Sequence, residues 1–264
     1  MGNTSGLKLS EIVCHQQNNS TTSIDSNVDS FYKGLLSPSG VSRLNVVSLT
    51  SDYTKGINAN TDGTSGGESS SSGDQNEQNP SGNDKQDFVS NRGEIAIFKD
   101  GILQFTLSEE MSGGLNWLNN DFNSKELLVK VDNSSMLKDA LINFDILSKS
   151  VNCETFFYKN IPFVSVKIVL LLDIDEIISD NVKSDFNYSI IDDSVKSDIG
   201  RTIRSQIAKV ANYAKQNKVD IYELNNMFYK NNYYDYINYL QTGKTKEDII
   251  ENTSLTVDIE IRIV

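Results

Sequence analysis

Leu255-Thr-Val-Asp-Ile-Glu-Ile-Arg-Ile263 decides the fold class. Leu255, Val257, Ile259, Ile261 and Ile263 alternate with polar neighbours without a break. A period of two puts the apolar side chains on one face of a strand and the polar ones on the other. One wet face implies an antiparallel or mixed sheet, because a purely parallel sheet is buried on both sides. The dry face needs a cover, and the chain upstream supplies one. From Asp193 to Asn217, the residues Ile199, Ile203, Ile207, Val210, Ala211 and Ala214 recur at helical spacing and form one buried stripe of a long helix. The fold class is therefore α+β: an antiparallel or mixed β-sheet with helices packed on one face.

Working outward, Asp220 is expected to cap a second helix carrying Ile221, Leu224, Met227 and Phe228, and a third short helix holds Tyr236, Ile237 and Leu240. Further strands are expected at Lys125–Asp132, Ala140–Ser148, Cys153–Tyr158 and Phe163–Asp175. The last two are joined by a turn at Lys159-Asn160-Ile161-Pro162. Glu94-Ile-Ala-Ile-Phe-Lys99 and Ile102-Leu-Gln-Phe-Thr-Leu107 read as a hairpin. Asp100-Gly101 between them supplies the positive φ values of a type I′ turn. Ser108 then opens a helix with Glu109 and Glu110 at its positive end and Met111, Leu115 and Leu118 at helical spacing. Trp117 is expected in the core, so its emission should shift red cooperatively on unfolding. Native emission like that of free indole would contradict this.

Composition divides the chain into three parts. Asn58 to Asp87 contains one apolar residue, Ala59, and cannot bury enough surface to offset backbone ordering. Residues 56–91 are thus expected to form a long disordered polar linker. Residues 1–55 hold a short helix ending at Leu36 and a strand at Arg43–Thr50, too little for a core of their own, and read as the remnant of a preceding domain. Residues 92–264 are the size of one domain.

The chain of 264 residues has 24 Lys+Arg against 36 Asp+Glu, a net charge of −12, which argues against nucleic acid as a partner. Its longest apolar run, Ile168–Leu172, is far short of the ~20 residues a membrane span needs. The start at Met1-Gly2 reads as neither a signal peptide nor a myristoylation site, and Cys14 follows no apolar stretch that would mark a lipid-attachment cysteine. One His and two Cys argue against a structural zinc site, and Cys14 and Cys153 read as free thiols. His15 lacks the partners of a metal site or a Ser-His-Asp triad. Gly243-Lys244-Thr245 lacks the earlier glycine and the leading strand of a phosphate loop, and reads as a surface turn. Asp173, Asp175 and Glu176 read as a solvated strand end, and Asp192-Asp193 as a helix N-cap. No catalytic, cofactor-binding or metal residue is expected. The dense tyrosines Tyr229, Tyr233, Tyr234, Tyr236 and Tyr239 read as helix packing with an amphipathic rim, or as a partner-binding surface, for which Tyr233, Tyr234, Tyr236 and Tyr239 are the candidates.

The order of these elements resembles a known family. Ile95-Ala-Ile-Phe98-Lys99, the turn glycine Gly101, Leu103 and Leu107, Glu110, Gly113-Gly114-Leu115 and Trp117-Leu118 are similar to the hairpin-and-helix signature of the Ger(x)C family of spore germination proteins. Val219-Asp220-Ile221 and the closing alternating strand match the end of that pattern. Val28 to Pro38 resembles the segment before the family's linker. Phe105 stands where the family commonly has Gly, and Asn231-Asn232 and Tyr234 where Pro and Trp are usual. The resemblance implies a non-enzymatic C subunit of a nutrient germinant receptor, or its C-terminal portion. It implies assembly with membrane-embedded A and B subunits and a place on the outer face of the spore inner membrane. The family's lipidated cysteine and N-terminal domain are not seen here. The alternative reading is an unrelated extracellular or cell-surface binding domain, and a carboxylate enzyme is a third.

Overall fold

A computed structural model describes residues 27–50, 88–119, 126–132, 134, 137, 139–179, 191 and 193–264. Cys14, His15 and most of the 56–91 tract lie outside the described residues.

The elements in chain order are α1 (Val28–Leu36), β1 (Val41–Thr50), β2 (Phe88–Lys99), β3 (Ile102–Leu107), α2 (Glu109–Asn116) and β4 (Glu126–Lys130). They continue with β5 (Leu141–Tyr158), β6 (Ile161–Ile178), α3 (Asp193–Asn217), α4 (Leu224–Asn231), α5 (Tyr233–Gln241), α6 (Lys246–Asn252) and β7 (Ser254–Ile263). The fold is α+β, but the strands form two sheets where one was expected. β1-β2-β3 is antiparallel. β4-β5-β6-β7 is mixed, with β6 and β7 parallel.

Two tight turns set the hairpins. Asp100 and Gly101 have φ of 52° and 80°, the pair of positive values that matches strand twist. Lys159 and Asn160 do the same between β5 and β6 with φ of 50° and 59°. That turn has two central residues, and Ile161 and Pro162 already belong to β6. β5 is one strand of 18 residues where two were expected. A register shift between Ile146 and Ser148 lets it continue through the polar stretch after Ser148.

Helices α3, α4 and α6 pack on the larger sheet. Val164, Val166, Ile168, Leu170 and Leu172 are buried, while Lys167 and Asp173 are exposed on the other face. β7 pairs Val257 with Val166 and Ile259 with Ile168, so its apolar set joins the same dry face. α3 packs on β4 and β7, and Ile203 and Ile259 share one core. α2 packs on β2 and β3 and also on α3, which links the sheets through helices.

β1 pairs with β2 from Val41↔Lys99 to Thr50↔Phe88. The segment before the polar tract therefore docks onto the hairpin, and β2 begins at Phe88, inside the 56–91 tract. Gly34 of α1 sits where a Cβ would meet Val41 O and Ser42 Oγ, which lets the helix lie close on β1. Phe31 meets Phe98 edge to face at 5.3 Å. Proteolysis between Gly56 and Asp87 should yield a stable fragment reaching Val264. Because of the β1–β2 ladder, the 27–50 piece should co-elute with it under native conditions and separate only in denaturant. Separation under native conditions would show that the ladder does not hold.

Candidate functional site

The hairpin-and-helix residues meet α3 at one place. Leu107 and Leu115 are buried, and Gly114 faces the Gln206 carbonyl so closely that a Cβ there would also lie 2.8 Å from Val210 Cγ2. Trp117, almost fully buried, donates from Nε1 to Gln206 Oε1 at 2.6 Å. Gln206 thus receives both the small residue and the indole. Phe98 is half-buried, and Lys99 crosses to the helical layer, pairing with Glu247 at 3.0 Å. Phe105, where the related pattern has glycine, packs edge to face on Tyr213 of α3 at 4.9 Å. Gly101 is at the turn and meets nothing within 4 Å.

Lys149, which drew no notice in the sequence, points from β5 to the end of α2. Its ammonium donates to Asn116 O at 2.9 Å and Asn119 O at 2.7 Å, carbonyls at the negative end of the helix dipole. Burial pushes its pKa down to about 8.

The α3–α4 turn is built around Asp220. The second helix starts at Leu224 with Glu223, not Asp220, at its N-cap position; Asp220 reaches its first amides from the turn, and Ile221 is in the turn and not in the helix. The carboxylate accepts from Leu224 N at 2.6 Å, Asn225 N at 2.8 Å and Asn225 Nδ2 at 3.0 Å. Asn225 in turn donates to Lys246 O at 3.2 Å and accepts from the Tyr236 hydroxyl at 3.1 Å. The chain Asp220–Asn225–Tyr236 therefore ties α4, α5 and α6 together. Burial raises the Asp220 pKa against the lowering effect of its N–H donors.

Only part of the tyrosine cluster is available to a partner. Tyr236 and Tyr239 are 2% and 3% exposed and belong to the core, which removes them from the surface proposed for the four residues. The cause is helical spacing: positions 236 and 239 point inward, and Phe157 of β5 packs on Tyr239. Tyr233 and Tyr234 are 47% and 82% exposed, and Tyr229 is 42% exposed. Tyr229 and Tyr233 meet edge to face at 5.2 Å, as do Tyr233 and Tyr234 at 5.7 Å.

The buried phenols predict a pH profile. Burial pushes the Tyr236 pKa up to about 12 and that of Tyr222 higher still. Between pH 10 and 12 the folded state holds protons that the unfolded chain has lost, so stability falls as pH rises. Lys149 acts in the opposite sense at lower pH. Its folded form loses a proton near 8 and its unfolded form near 10.5, so stability rises over that interval. The urea midpoint should peak near pH 10. Lys149→Met should flatten the rising limb, and Tyr236→Phe should make the falling limb shallower. A midpoint that does not move from pH 8 to 12 would refute both assignments.

Among the described residues, no group of three or more His, Cys, Asp or Glu side chains is placed to hold a metal ion. Gly243-Lys244-Thr245 is a turn leading into α6, with Thr245 as its N-cap and Asp248 completing a capping box. The α6 helix itself went unread in the sequence because its seven residues show little periodicity. Burial raises the Cys153 thiol pKa, which makes it a poor nucleophile.

Residues 93–264 match the model of the spore germination B3/GerAC-like family, C-terminal domain. The chain belongs to this family. No curated protein matches the chain. A solved structure, the crystal structure of the GerBC protein, is similar in fold, with a TM-score of 0.54 at 14% sequence identity. The match covers 67% of this chain and 52% of GerBC, so the chain spans about half the length of that protein. The match begins at residue 93, within β2, so α1 and β1 precede the matched family domain.

Proposed function

We propose that this chain is a non-enzymatic C subunit of a spore germinant receptor, or the C-terminal portion of one. In this reading it acts in nutrient-triggered germination by assembling with membrane-embedded A and B subunits on the outer face of the spore inner membrane. The family match over residues 93–264 carries the reading, and the shared fold with GerBC supports it. Residues 92–264 form the germination module, the polar tract before Phe88 forms a linker, and α1 with β1 completes the first sheet. No helix among the described residues is long and apolar enough to cross a membrane, and the partner subunits hold the module in place. The exposed rings of Tyr229, Tyr233 and Tyr234 are the partner surface, since tyrosine offers a large contact area with a polar tip.

Co-purification from detergent-solubilised spore membranes carrying tagged A and B subunits tests this. The full chain should co-purify with both. Tyr233→Ser with Tyr234→Ser should weaken recovery at least about tenfold, the equivalent of ~1.4 kcal/mol, without changing the melting temperature. Absence of the chain from the complex, together with normal nutrient germination of spores lacking it, would overturn the proposal.

A further inference from the structure

We infer that the cavity between the N-terminal segment and α4 is a binding site for a small organic carboxylate with an apolar end. The cavity measures about 460 Å³ and is walled by α1 and β1, the end of α2, and the Tyr222–Asn231 stretch. This lies within the ~300–1,000 Å³ range of small-molecule pockets. Its charged groups come from distant parts of the chain: Arg43 from β1, Glu223 from the turn before α4, and Lys230 from the end of α4.

Charge selects the ligand. Glu223 is already occupied on both oxygens: Arg43 Nη2 donates to Oε1, and Asn226 Nδ2 donates to Oε2 at 3.2 Å. Arg43 engages no other acceptor among the described residues, which leaves the rest of its planar fork without a partner. Lys230 pairs with no carboxylate among them. The lining therefore carries one net positive charge in a chain whose total is −12. A guanidinium fork matches the two oxygens of a carboxylate, and a nearby ammonium adds a point charge. Two cations, one of them already in an ion pair, suit a monoanion better than a polyphosphate.

The rest of the wall fits the remainder of the molecule. Leu118 and Met227, both partly exposed, present an apolar side to the same space. Glu223 is held at φ 56°, ψ 38°, the left-handed region that costs a non-glycine residue about 1 kcal/mol or more. The Arg43 pair and the Asn226 bond offset that cost and fix the carboxylate against the fork. The site goes beyond the docking role proposed above, and its failure would leave that role intact.

The probe is sodium hexanoate added to the intact chain, with hexanamide and inorganic phosphate as controls, followed by ¹H–¹⁵N NMR and thermal melting. Hexanoate should move the Arg43 Nε–H and Asn226 side-chain resonances saturably and raise the melting temperature, while hexanamide and phosphate do neither. Lys230→Gln should weaken hexanoate at least about tenfold and leave the unliganded melting temperature unchanged, because that side chain is exposed and unpaired. The proposal is overturned by no saturable response up to roughly 10 mM, ten times a millimolar Kd. It is equally overturned if hexanamide or phosphate binds as well as hexanoate, or if Lys230→Gln leaves hexanoate binding unchanged.

Discussion

Replacing Gly114 with alanine should lower the melting temperature by about 10 °C, while the same replacement at Gly113 should leave it unchanged or raise it slightly. Both glycines lie in α2, and neither needs a positive φ. They differ in what a methyl group would meet. At Gly113 nothing lies within 4 Å, so alanine adds helix propensity worth ~1 kcal/mol. At Gly114 the new carbon runs into the Gln206 carbonyl and lies 2.8 Å from Val210 Cγ2. Overpacking costs ~1–3 kcal/mol, and the upper end applies here because the obstacle is backbone in the middle of a 25-residue helix. Moving α2 outward would also stretch the 2.6 Å bond from Trp117 to Gln206. Thermal melts of the two variants, with Trp117 emission as the probe, decide the matter. Equal shifts would mean that α2 and α3 do not approach as closely as the contact requires.

The contrast shows what a sequence discloses. Periodicity revealed α3 to its terminal residues and β7 to within one, because each buries one face and repeats its pattern without a break. It revealed Asp100-Gly101 because only a few residue pairs adopt two positive φ values. It did not reveal that the strands separate into two sheets. That depends on which edges pair, and the period-two signal of β1 says nothing of its partner, which lies beyond a long polar tract. The docking of β1 on β2 is a long-range pairing with no local mark.

The site was less legible than the fold. Tyrosine density marked α5 as a candidate, but only the helix phase separates Tyr234, in solvent, from Tyr236, in the core. Within α5 the three-residue spacing of Tyr236 and Tyr239 puts both on the inward side. Arg43 and Glu223 are 180 residues apart and carry no motif, so their pairing was invisible. Lys149 was hidden by chemistry, since a lysine on a strand ordinarily points to water, and here two carbonyls at the end of α2 draw it inward.

Asp220→Ala should be the most damaging single change in the helical layer, at about 4 kcal/mol. The substitution leaves the Leu224 and Asn225 amides buried without their acceptor and takes one of two acceptors from the Asn225 side chain, and each unsatisfied donor costs ~1–3 kcal/mol. The effect spreads along the hydrogen-bond chain, because Asn225 held by Asp220 is also the acceptor for Tyr236. Hydrogen exchange should therefore quicken in α4 and α5 while the β5–β6 ladder keeps its protection, since local openings follow the contacts that hold each unit. Asp220→Asn retains one acceptor oxygen and removes a carboxyl that burial already disfavours as an anion, so roughly half the loss is expected. Asn225→Ala on the Asp220→Ala background should add less than it does alone, because the two side chains share a bond. Urea titrations of the four proteins would show it. An alanine variant within ~0.5 kcal/mol of the parent, the range of an ordinary surface change, would mean that Asp220 does not organise the turn.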